Sequence, residues 1–205
     1  MTSQRSFSVS PVLLFTLLAL TYSFFYHAGQ DNENARLEQA RMIAEFGALN
    51  IDRYLNSADV ITFEGVTYPN KAPGITLLAA PLWKVFHPLF ESFASSSNTA
   101  DHLTCHLITF SLSGLPTALI AVLLFVFLRQ KTRNESFSLL LSLSYGLGSI
   151  AFPFATLLFS HQLAACLLFS ALFLLYKDKP AMLPAGVLLG YSITTEYPCA
   201  LAMIP

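Results

Sequence analysis

Charged residues are scarce in this chain of 205 residues: 11% are Asp, Glu, Lys or Arg, whereas 54% are hydrophobic. The surface of a soluble domain needs roughly a quarter of its residues charged. The shortage excludes an ordinary soluble domain and predicts an integral membrane protein in contact with membrane lipid. The formal net charge of −1 identifies no partner, because the charges are segregated along the chain, and no nucleic-acid partner is predicted.

Cysteine is also rare, and a nucleotide-binding loop is missing. Cys105, Cys166 and Cys199 lie in apolar segments without CxxC spacing. This argues against a disulfide framework and a zinc site, and it favours buried free thiols. The sequence contains no glycine-rich phosphate loop, so nothing in it points to a nucleotide substrate.

Long apolar runs dominate the chain instead. Residues 11–27 form a run long enough for a helix that crosses about 30 Å of hydrocarbon. A cleaved signal peptide is the alternative, but the bulky Tyr26 spoils the small-residue cleavage pattern, so an uncleaved anchor is favoured. Four further spans are predicted at 104–128, 137–153, 161–176 and 181–204.

The apolar run 74–90 is predicted to lie in the membrane interface as a proline-broken helix, because two prolines interrupt it and it is short for a crossing. If it does not cross, the basic clusters at 129–133 and 177–179 both fall on the cytoplasmic side with Arg5, as the positive-inside bias requires. The chain is therefore predicted to be an all-α, multi-pass protein of the cell (inner) membrane with about five transmembrane helices and a cytoplasmic amino terminus.

Residues 28–103 form the predicted extracytoplasmic loop of this single domain, with amphipathic interfacial helices and a small hairpin. Apolar positions at helical spacing predict a surface helix over 33–46 that stops at Gly47. Two β-prone runs, at 60–63 and 66–68, flank a Glu-Gly pair and predict the hairpin.

Several short motifs follow one another in a distinctive order. Asp31-Asn32-Glu33 comes after the first span, and Tyr68-Pro69-Asn70-Lys71-Ala72-Pro73-Gly74 comes after the hairpin. Phe159-Ser160-His161 and Thr195-Glu196-Tyr197-Pro198 occur later. This order resembles the amino-terminal part of the membrane-embedded GT-C glycosyltransferases. The resemblance is greatest to the protein O-mannosyltransferase and aminoarabinose transferase branch, glycosyltransferase family 39, and it covers nearly the whole chain.

The resemblance implies roles for individual residues. Asp31-Asn32-Glu33 matches the modified DxD motif of that superfamily. Asp31 is then expected to be the general base for the acceptor hydroxyl, with Glu33 supporting it or contacting a divalent metal. Lys71 is expected to bind the donor's lipid phosphate. The remaining residues of the expected substrate site are Arg36, Asn70, His161 and Glu196.

Each of these residues also has a purely structural explanation. Asp31 would serve as a helix N-cap, and Glu33 would complement the helix dipole. Lys71 would anchor the loop to lipid phosphates, and Arg36 would belong to the solvated face of a surface helix. Glu196 is different, because its expected position about 22 Å along the fifth span makes an ionisable side chain a functional candidate by default.

The activity predicted from these features is an inverting transfer of a sugar from a polyprenyl-phosphate donor to an extracytoplasmic glycan, lipid or protein. Two alternatives stay open. One is a transporter or channel fragment, favoured by an ionisable residue within a span. The other is a non-catalytic scaffold or lipid-binding subunit. The chain stops at Pro205 within an apolar segment, which predicts a longer full protein.

Overall fold

The computed structural model of the chain describes residues 9–27, 29 and 31–203. Helix makes up 72% of the structure and strand 4%, so the all-α class is confirmed. Arg5, on which the predicted topology relies, lies outside the described residues, as does the last residue of the predicted fifth span, Ile204.

The described helices are α1 (Pro11–Phe24), α2 (Asp31–Phe46), α3 (Gly74–Glu91), α4 (Ser97–Thr109), α5 (Leu115–Thr132), α6 (Glu135–Gly148), α7 (Ala151–Ala155), α8 (Ser160–Leu175) and α9 (Met182–Thr195). A π-helical turn, Phe110–Gly114, joins α4 to α5, and a 3-10 helix, Tyr197–Met203, follows α9. Strands β1 (Val60–Phe63) and β2 (Val66–Pro69) pair in an antiparallel hairpin.

One helical segment in the described part of the chain is long and apolar enough to cross a membrane. It is Ser97–Thr132, whose 36 residues comprise α4, the π turn and α5, and it contains the predicted span 104–128. The helices α1, α8 and α9 are apolar but shorter. The 14 residues of α1 extend about 21 Å at 1.5 Å per residue.

The predicted end of the surface helix at Gly47 and the predicted hairpin are confirmed. Helix α2 ends at Phe46, and Gly47 adopts a φ of 66°, the left-handed conformation in which glycine commonly ends helices. The backbone N–H of Ala48 then donates to the carbonyl oxygen of Met42 at 3.4 Å. In the hairpin, Glu64 and Gly65 have φ values of 51° and 80°, as a two-residue type I′ turn requires at both positions.

The prediction of a proline-broken helix over 74–90 is wrong, because α3 runs through Pro81 and Pro88 without a break. A proline in a helix leaves the carbonyl four residues earlier without its usual N–H partner. Here those carbonyls belong to Leu77 and Lys84, and both prolines and both of these residues are exposed. The freed carbonyls therefore belong to residues on the exposed side of the helix, where solvent can hydrate them.

Three predicted spans are too long at their carboxyl ends, the first of them by three residues, because α1 stops at Phe24. Helix α6 stops at Gly148, and the last residues of the predicted span 137–153 belong to the separate helix α7. Helix α9 stops at Thr195, and Glu196 is extended, with φ −146° and ψ 112°. Pro198 accounts for part of this ending, since its nitrogen carries no hydrogen and cannot donate to the carbonyl oxygen of Thr194 to continue the hydrogen-bond ladder. Glu196 therefore caps α9 and is not an internal residue of the helix.

Two apolar clusters hold the helices together. One joins α2, α3 and α4 through buried side chains that include Leu37, Trp83 and Ile108. The other joins α1 to α5 and includes Tyr22. The Tyr22 hydroxyl donates to the carbonyl oxygen of Gly146 in α6 at 2.8 Å, and a Cβ added at Gly146 would lie 3.0 Å from that hydroxyl. Glycine at this position thus allows α1 and α6 to approach closely.

Candidate functional site

A cavity of about 520 Å³ lies beside the first turns of α2. The end of the hairpin, the loop before α3, the start of α8 and the residues after α9 complete its lining. We call it the Arg36 cavity. All five residues that the sequence analysis assigned to substrate binding line it, namely Arg36, Asn70, Lys71, His161 and Glu196. The fold thus brings together candidates that are up to 160 positions apart in the sequence.

The loop that carries Lys71 is fixed at both of its ends. Before it, the backbone N–H of Asn70 donates to the carbonyl oxygen of Asp59 at 3.2 Å, which extends the pairing of the hairpin. After it, the Tyr191 hydroxyl of α9 donates to the carbonyl oxygen of Gly74 at 2.8 Å. Helix α9 ends beside this glycine, so Glu196 and Lys71 meet at the same cavity.

Arg36 is the most unusual residue of the cavity, because its side chain is 2% exposed. Its Nε donates to Oδ1 of Asn32 at 2.8 Å, but its buried Nη1 has no hydrogen-bond partner among the described residues. Burial lowers the pKa of the guanidinium, and the nearby carboxylates of Glu196 and Asp59 partly offset this. The explanation of Arg36 as a solvated surface residue is therefore wrong.

Asp59 connects the cations of the site, and the sequence analysis missed it. Its Oδ2 lies 3.0 Å from Nζ of Lys71 and accepts a hydrogen bond from Nδ2 of Asn32 at 3.2 Å. Asn32 in turn holds Arg36. The only signal in the sequence is an aspartate directly before β1, which is a common loop feature and does not identify a site.

An imidazole and a carboxylate are in direct contact in the lining of the cavity. Nδ1 of His161 lies 3.0 Å from Oε1 of Glu196, and the Ser160 hydroxyl donates to the same carboxylate oxygen. Ser160 was part of a motif noted in the sequence but was not proposed for the site. Glu196 is partly buried and His161 is exposed. This arrangement can accept or release a proton next to the cationic side of the cavity.

Asp31 lies outside the lining of the Arg36 cavity. It is exposed at the start of α2, and its Oδ1 accepts a hydrogen bond from the backbone N–H of Ala58 at 3.2 Å. Its backbone oxygen accepts a second one from the Ser57 hydroxyl at 2.6 Å. Asp31 thus ties the loop before β1 to the helix, one residue from Asn32, which does line the cavity.

Glu33 points in a different direction. Its side chain is 2% exposed, and Oε1 accepts a hydrogen bond from the backbone N–H of Leu158 at 2.7 Å. Residues two apart on a helix do not face each other, so Glu33 does not lie beside Asp31 to support it, as the motif resemblance implies. Glu33 instead holds the segment just before Ser160 and His161.

A second cavity, of about 540 Å³, lies on the opposite face of α2. We call it the Glu38 cavity. Glu33, Glu38 and Arg41 of α2 line it together with Asp101 of α4 and several aromatic residues. No feature of the sequence pointed to this cavity.

The described residues include no group of three or more His, Cys, Asp or Glu side chains placed to hold a metal ion. Comparisons of the chain with protein-family models, with curated proteins and with solved structures find no match. The resemblance to the GT-C glycosyltransferases therefore remains a prediction from the motifs.

Proposed function

We propose that this chain is a multi-pass membrane glycosyltransferase that takes a sugar from a polyprenyl-phosphate donor and transfers it to an extracytoplasmic acceptor. The observation that carries the proposal is the buried Arg36, which lines the cavity and whose Nη1 has no hydrogen-bond partner among the described residues. A buried guanidinium N–H left unpaired is costly, and an anion in the cavity would satisfy it. Lys71 adds a second positive charge to the same lining.

A phosphate suits this set of donors better than a carboxylate of the protein does. A guanidinium offers several N–H groups in a fixed plane, and an ammonium adds a point charge, which together match the oxygens of a phosphate. As the bond between sugar and phosphate breaks, negative charge grows on the leaving phosphate. Donors already in place stabilise that charge without reorganising, and this is the type of contribution that lowers a barrier most.

Two groups are candidates for the general base. The motif resemblance assigns this role to Asp31. The geometry of the cavity favours Glu196, which lies in the same lining as Arg36 and Lys71 and contacts His161. General base catalysis typically raises a reaction rate 10²–10⁴-fold. Substitution of the base should therefore lower the rate of sugar transfer by a factor of this size.

A membrane location is part of this proposal, and the helix arrangement supports it. Large apolar side chains on the outer faces of several helices are exposed to the surroundings, among them Val12, Leu140, Leu172 and Leu183. Such side chains suit hydrocarbon better than water. Five spans would be formed by α1, α4 with α5, α6, α8 and α9.

The two basic clusters lie at the same end of the helices, as the five-span topology requires. Lys131, in the last turn of α5, hydrogen-bonds with Tyr176, at the end of α8. The backbone N–H of Val9 donates to Oε1 of Glu135 at 2.6 Å, which brings the start of α1 to the start of α6. The Arg36 cavity contains the start of α8 and the end of α9 and is therefore at the opposite end. This arrangement supports a cytoplasmic amino terminus and an outer site.

Lys71→Ala tests the anion site, with Lys84→Ala as its matched control. Lys84 is exposed on α3 and lines neither cavity. In membranes that contain the protein, transfer from a polyprenyl-phosphate sugar should need about tenfold more donor after Lys71→Ala, because a charge-assisted contact is lost. The Lys84 variant should behave like the parent. Equal donor dependence for the two variants would contradict the assignment.

Asp31→Asn and Glu196→Gln separate the two candidate bases. The substitution that removes the base should reduce transfer by about 10²-fold or more at saturating donor while protein abundance stays normal. Retained activity in both variants would exclude both residues. Binding of the phosphate without any transfer would instead favour the lipid-binding alternative.

A further inference from the structure

A third cavity, of about 440 Å³, lies where the end of α5 meets the end of α8. We call it the Lys131 cavity. Its lining combines basic, acidic, neutral polar and aromatic side chains, namely Phe127, Gln130, Lys131, Phe173, Tyr176, Lys177 and Asp178. The Arg36 cavity contains the start of α8, which has 16 residues. The two cavities are therefore separated by about 24 Å along the axis of this helix.

Positive charge is concentrated around the Lys131 cavity. The segments 129–133 and 177–179 border it and contain one acidic residue, Asp178, and five basic ones: Arg129, Lys131, Arg133, Lys177 and Lys179. The ion pairs within the described part of the chain all involve other cations. The ammonium groups of the cavity are therefore available to an anion from outside the protein.

The helix ends at this cavity do not cancel that charge. The carboxyl ends of α5 and α8 both lie here, and such ends carry partial negative charge. Each is followed closely by the amino end of the next helix, since α6 begins at Glu135 and α9 at Met182. Amino ends carry a partial positive charge of similar size. The four helix ends thus largely offset one another, and the side chains determine the sign of the local field.

One of the two lysines is already held in place. The ammonium of Lys131 donates to the Tyr176 hydroxyl and lies 4.2 Å from the centroid of the same ring. Because this hydroxyl accepts from Lys131, its own hydrogen can be donated to a further acceptor. Nζ of Lys177 lies 5.9 Å from the centroid of the Phe173 ring. The cavity therefore presents two ammonium groups and a hydroxyl donor beside aromatic rings.

The surface next to the cavity suits a lipid better than a free anion. The ring of Phe127 packs edge-on against Tyr176, with centroids 5.3 Å apart, and against Phe169, at 6.5 Å. Phe169 lies one turn before Phe173 in α8, and the nearby Leu172 is 53% exposed. Apolar surface thus continues from the cavity along α8. A free phosphate would leave this surface uncovered, whereas acyl chains would cover it.

We propose that the Lys131 cavity binds the headgroup of an anionic glycerophospholipid such as phosphatidylglycerol. The phosphodiester would accept hydrogen bonds from Lys131, Lys177 and the Tyr176 hydroxyl, and a headgroup hydroxyl would donate to Asp178. Basic pockets between membrane helices recognise lipid headgroups in this way. The inference rests on the membrane location in the proposed function but not on sugar transfer, because the donor phosphate is assigned to the other end of α8.

Native mass spectrometry of the full chain, released from detergent micelles, counts the lipids that stay bound. The chain would be titrated with phosphatidylglycerol and with phosphatidylethanolamine of the same acyl chains, whose ammonium neutralises the phosphate charge. Phosphatidylglycerol should bind at lower concentration. Lys131→Gln and Lys177→Gln should each weaken its binding about fivefold, as expected for the loss of one cation near a lipid headgroup. Lys179→Gln is the matched control, because it removes the same charge from the same turn but lies outside the lining.

Both lysines are exposed, so the variants should keep the melting temperature of the parent. Equal losses in Lys177→Gln and Lys179→Gln would indicate attraction by the whole basic cluster and overturn a defined site. Equal affinity for the two lipids would overturn recognition of the anionic headgroup. Displacement by an equal concentration of glycerophosphoglycerol, the same headgroup without acyl chains, would replace the lipid site by a site for a free phosphate.

Lys71→Ala separates this site from the Arg36 cavity. Binding of phosphatidylglycerol should be unchanged in this variant. A loss of binding in Lys71→Ala, with normal binding in Lys131→Gln, would move the lipid to the Arg36 cavity and overturn the proposal. No sugar transfer is measured in this experiment, so a failure of the glycosyltransferase assignment would leave the expected results unchanged.

Discussion

Gly74 begins α3 at the point where this helix meets the last turn of α9. A Cβ added there would lie 2.6 Å from the carbonyl oxygen of Thr194 and 2.7 Å from the Cα of Thr195. Both are backbone atoms, so no side-chain rotation can relieve the contact. We therefore predict that Gly74→Ala forces α3 and α9 apart and destabilises the fold.

The magnitude follows from the geometry. Overpacking of a close contact costs about 1–3 kcal/mol. Separation of the helices also weakens the hydrogen bond from the Tyr191 hydroxyl to the carbonyl oxygen of Gly74, which is 2.8 Å long and contributes about 0.5–1.5 kcal/mol. The combined loss of about 2–4 kcal/mol should lower the melting temperature of a chain of this size by roughly 5–15 °C.

Gly190→Ala is the matched control because it lies in α9 and a Cβ there meets no atom within 4 Å. Alanine is a better helix former than glycine, so this variant should be unchanged or more stable by about 0.5–1 kcal/mol. Thermal unfolding in detergent, followed by circular dichroism at 222 nm, compares the two variants with the parent. Equal melting temperatures for Gly74→Ala and Gly190→Ala would refute the close-contact explanation.

Three further substitutions test other parts of the fold. Tyr22→Phe should lower the free energy of unfolding by about 1–3 kcal/mol, because it leaves the buried carbonyl of Gly146 without its donor; denaturant unfolding measures the loss. Glu33→Gln should lower the melting temperature as well, since a carboxylate holds the amide of Leu158 more strongly than a neutral oxygen does. Glu38→Gln should instead raise the free energy of unfolding above pH 7. The pKa of Glu38 rises from 4.5 unfolded to about 7 folded, so its charge destabilises the fold progressively between these values. The variant should gain about 1–2 kcal/mol at pH 8, after allowance for solvent screening, and none at pH 4.5. Melting curves at both pH values decide this.

Features set by neighbouring residues were predictable from the sequence. The glycine after α2 and the Glu-Gly pair of the hairpin have the backbone angles that their turns need, and nothing distant competes with those preferences. The ends of α6 and α9 were harder to predict from the sequence, because an apolar run continues past both of them. Pro198 was the available signal for α9, and the length of the apolar run concealed it.

The burial of Arg36 could not be predicted from the pattern of α2. An arginine on a short amphipathic helix is usually solvated, whereas this one is buried beside a cavity whose other walls come from segments distant in the sequence. The same limit applies to Asp59, which gains its role by contacting Lys71 and Asn32. These contacts join segments that have no regular spacing in the sequence.

Helical spacing explains why Asp31 and Glu33 point in different directions, whereas Asn32 and Arg36 lie on the same face of α2. Asp31 and Glu33 are two residues apart, so α2 turns one towards the exposed loop before β1 and the other towards the buried segment before α8. Asn32 and Arg36 are four residues apart and lie on one face, where the amide oxygen holds the guanidinium at 2.8 Å. The orientation of Arg36 towards the cavity therefore depends on a short-range contact that the sequence does contain. The charged groups that Arg36 meets there, Asp59 and Glu196, arrive from other parts of the chain.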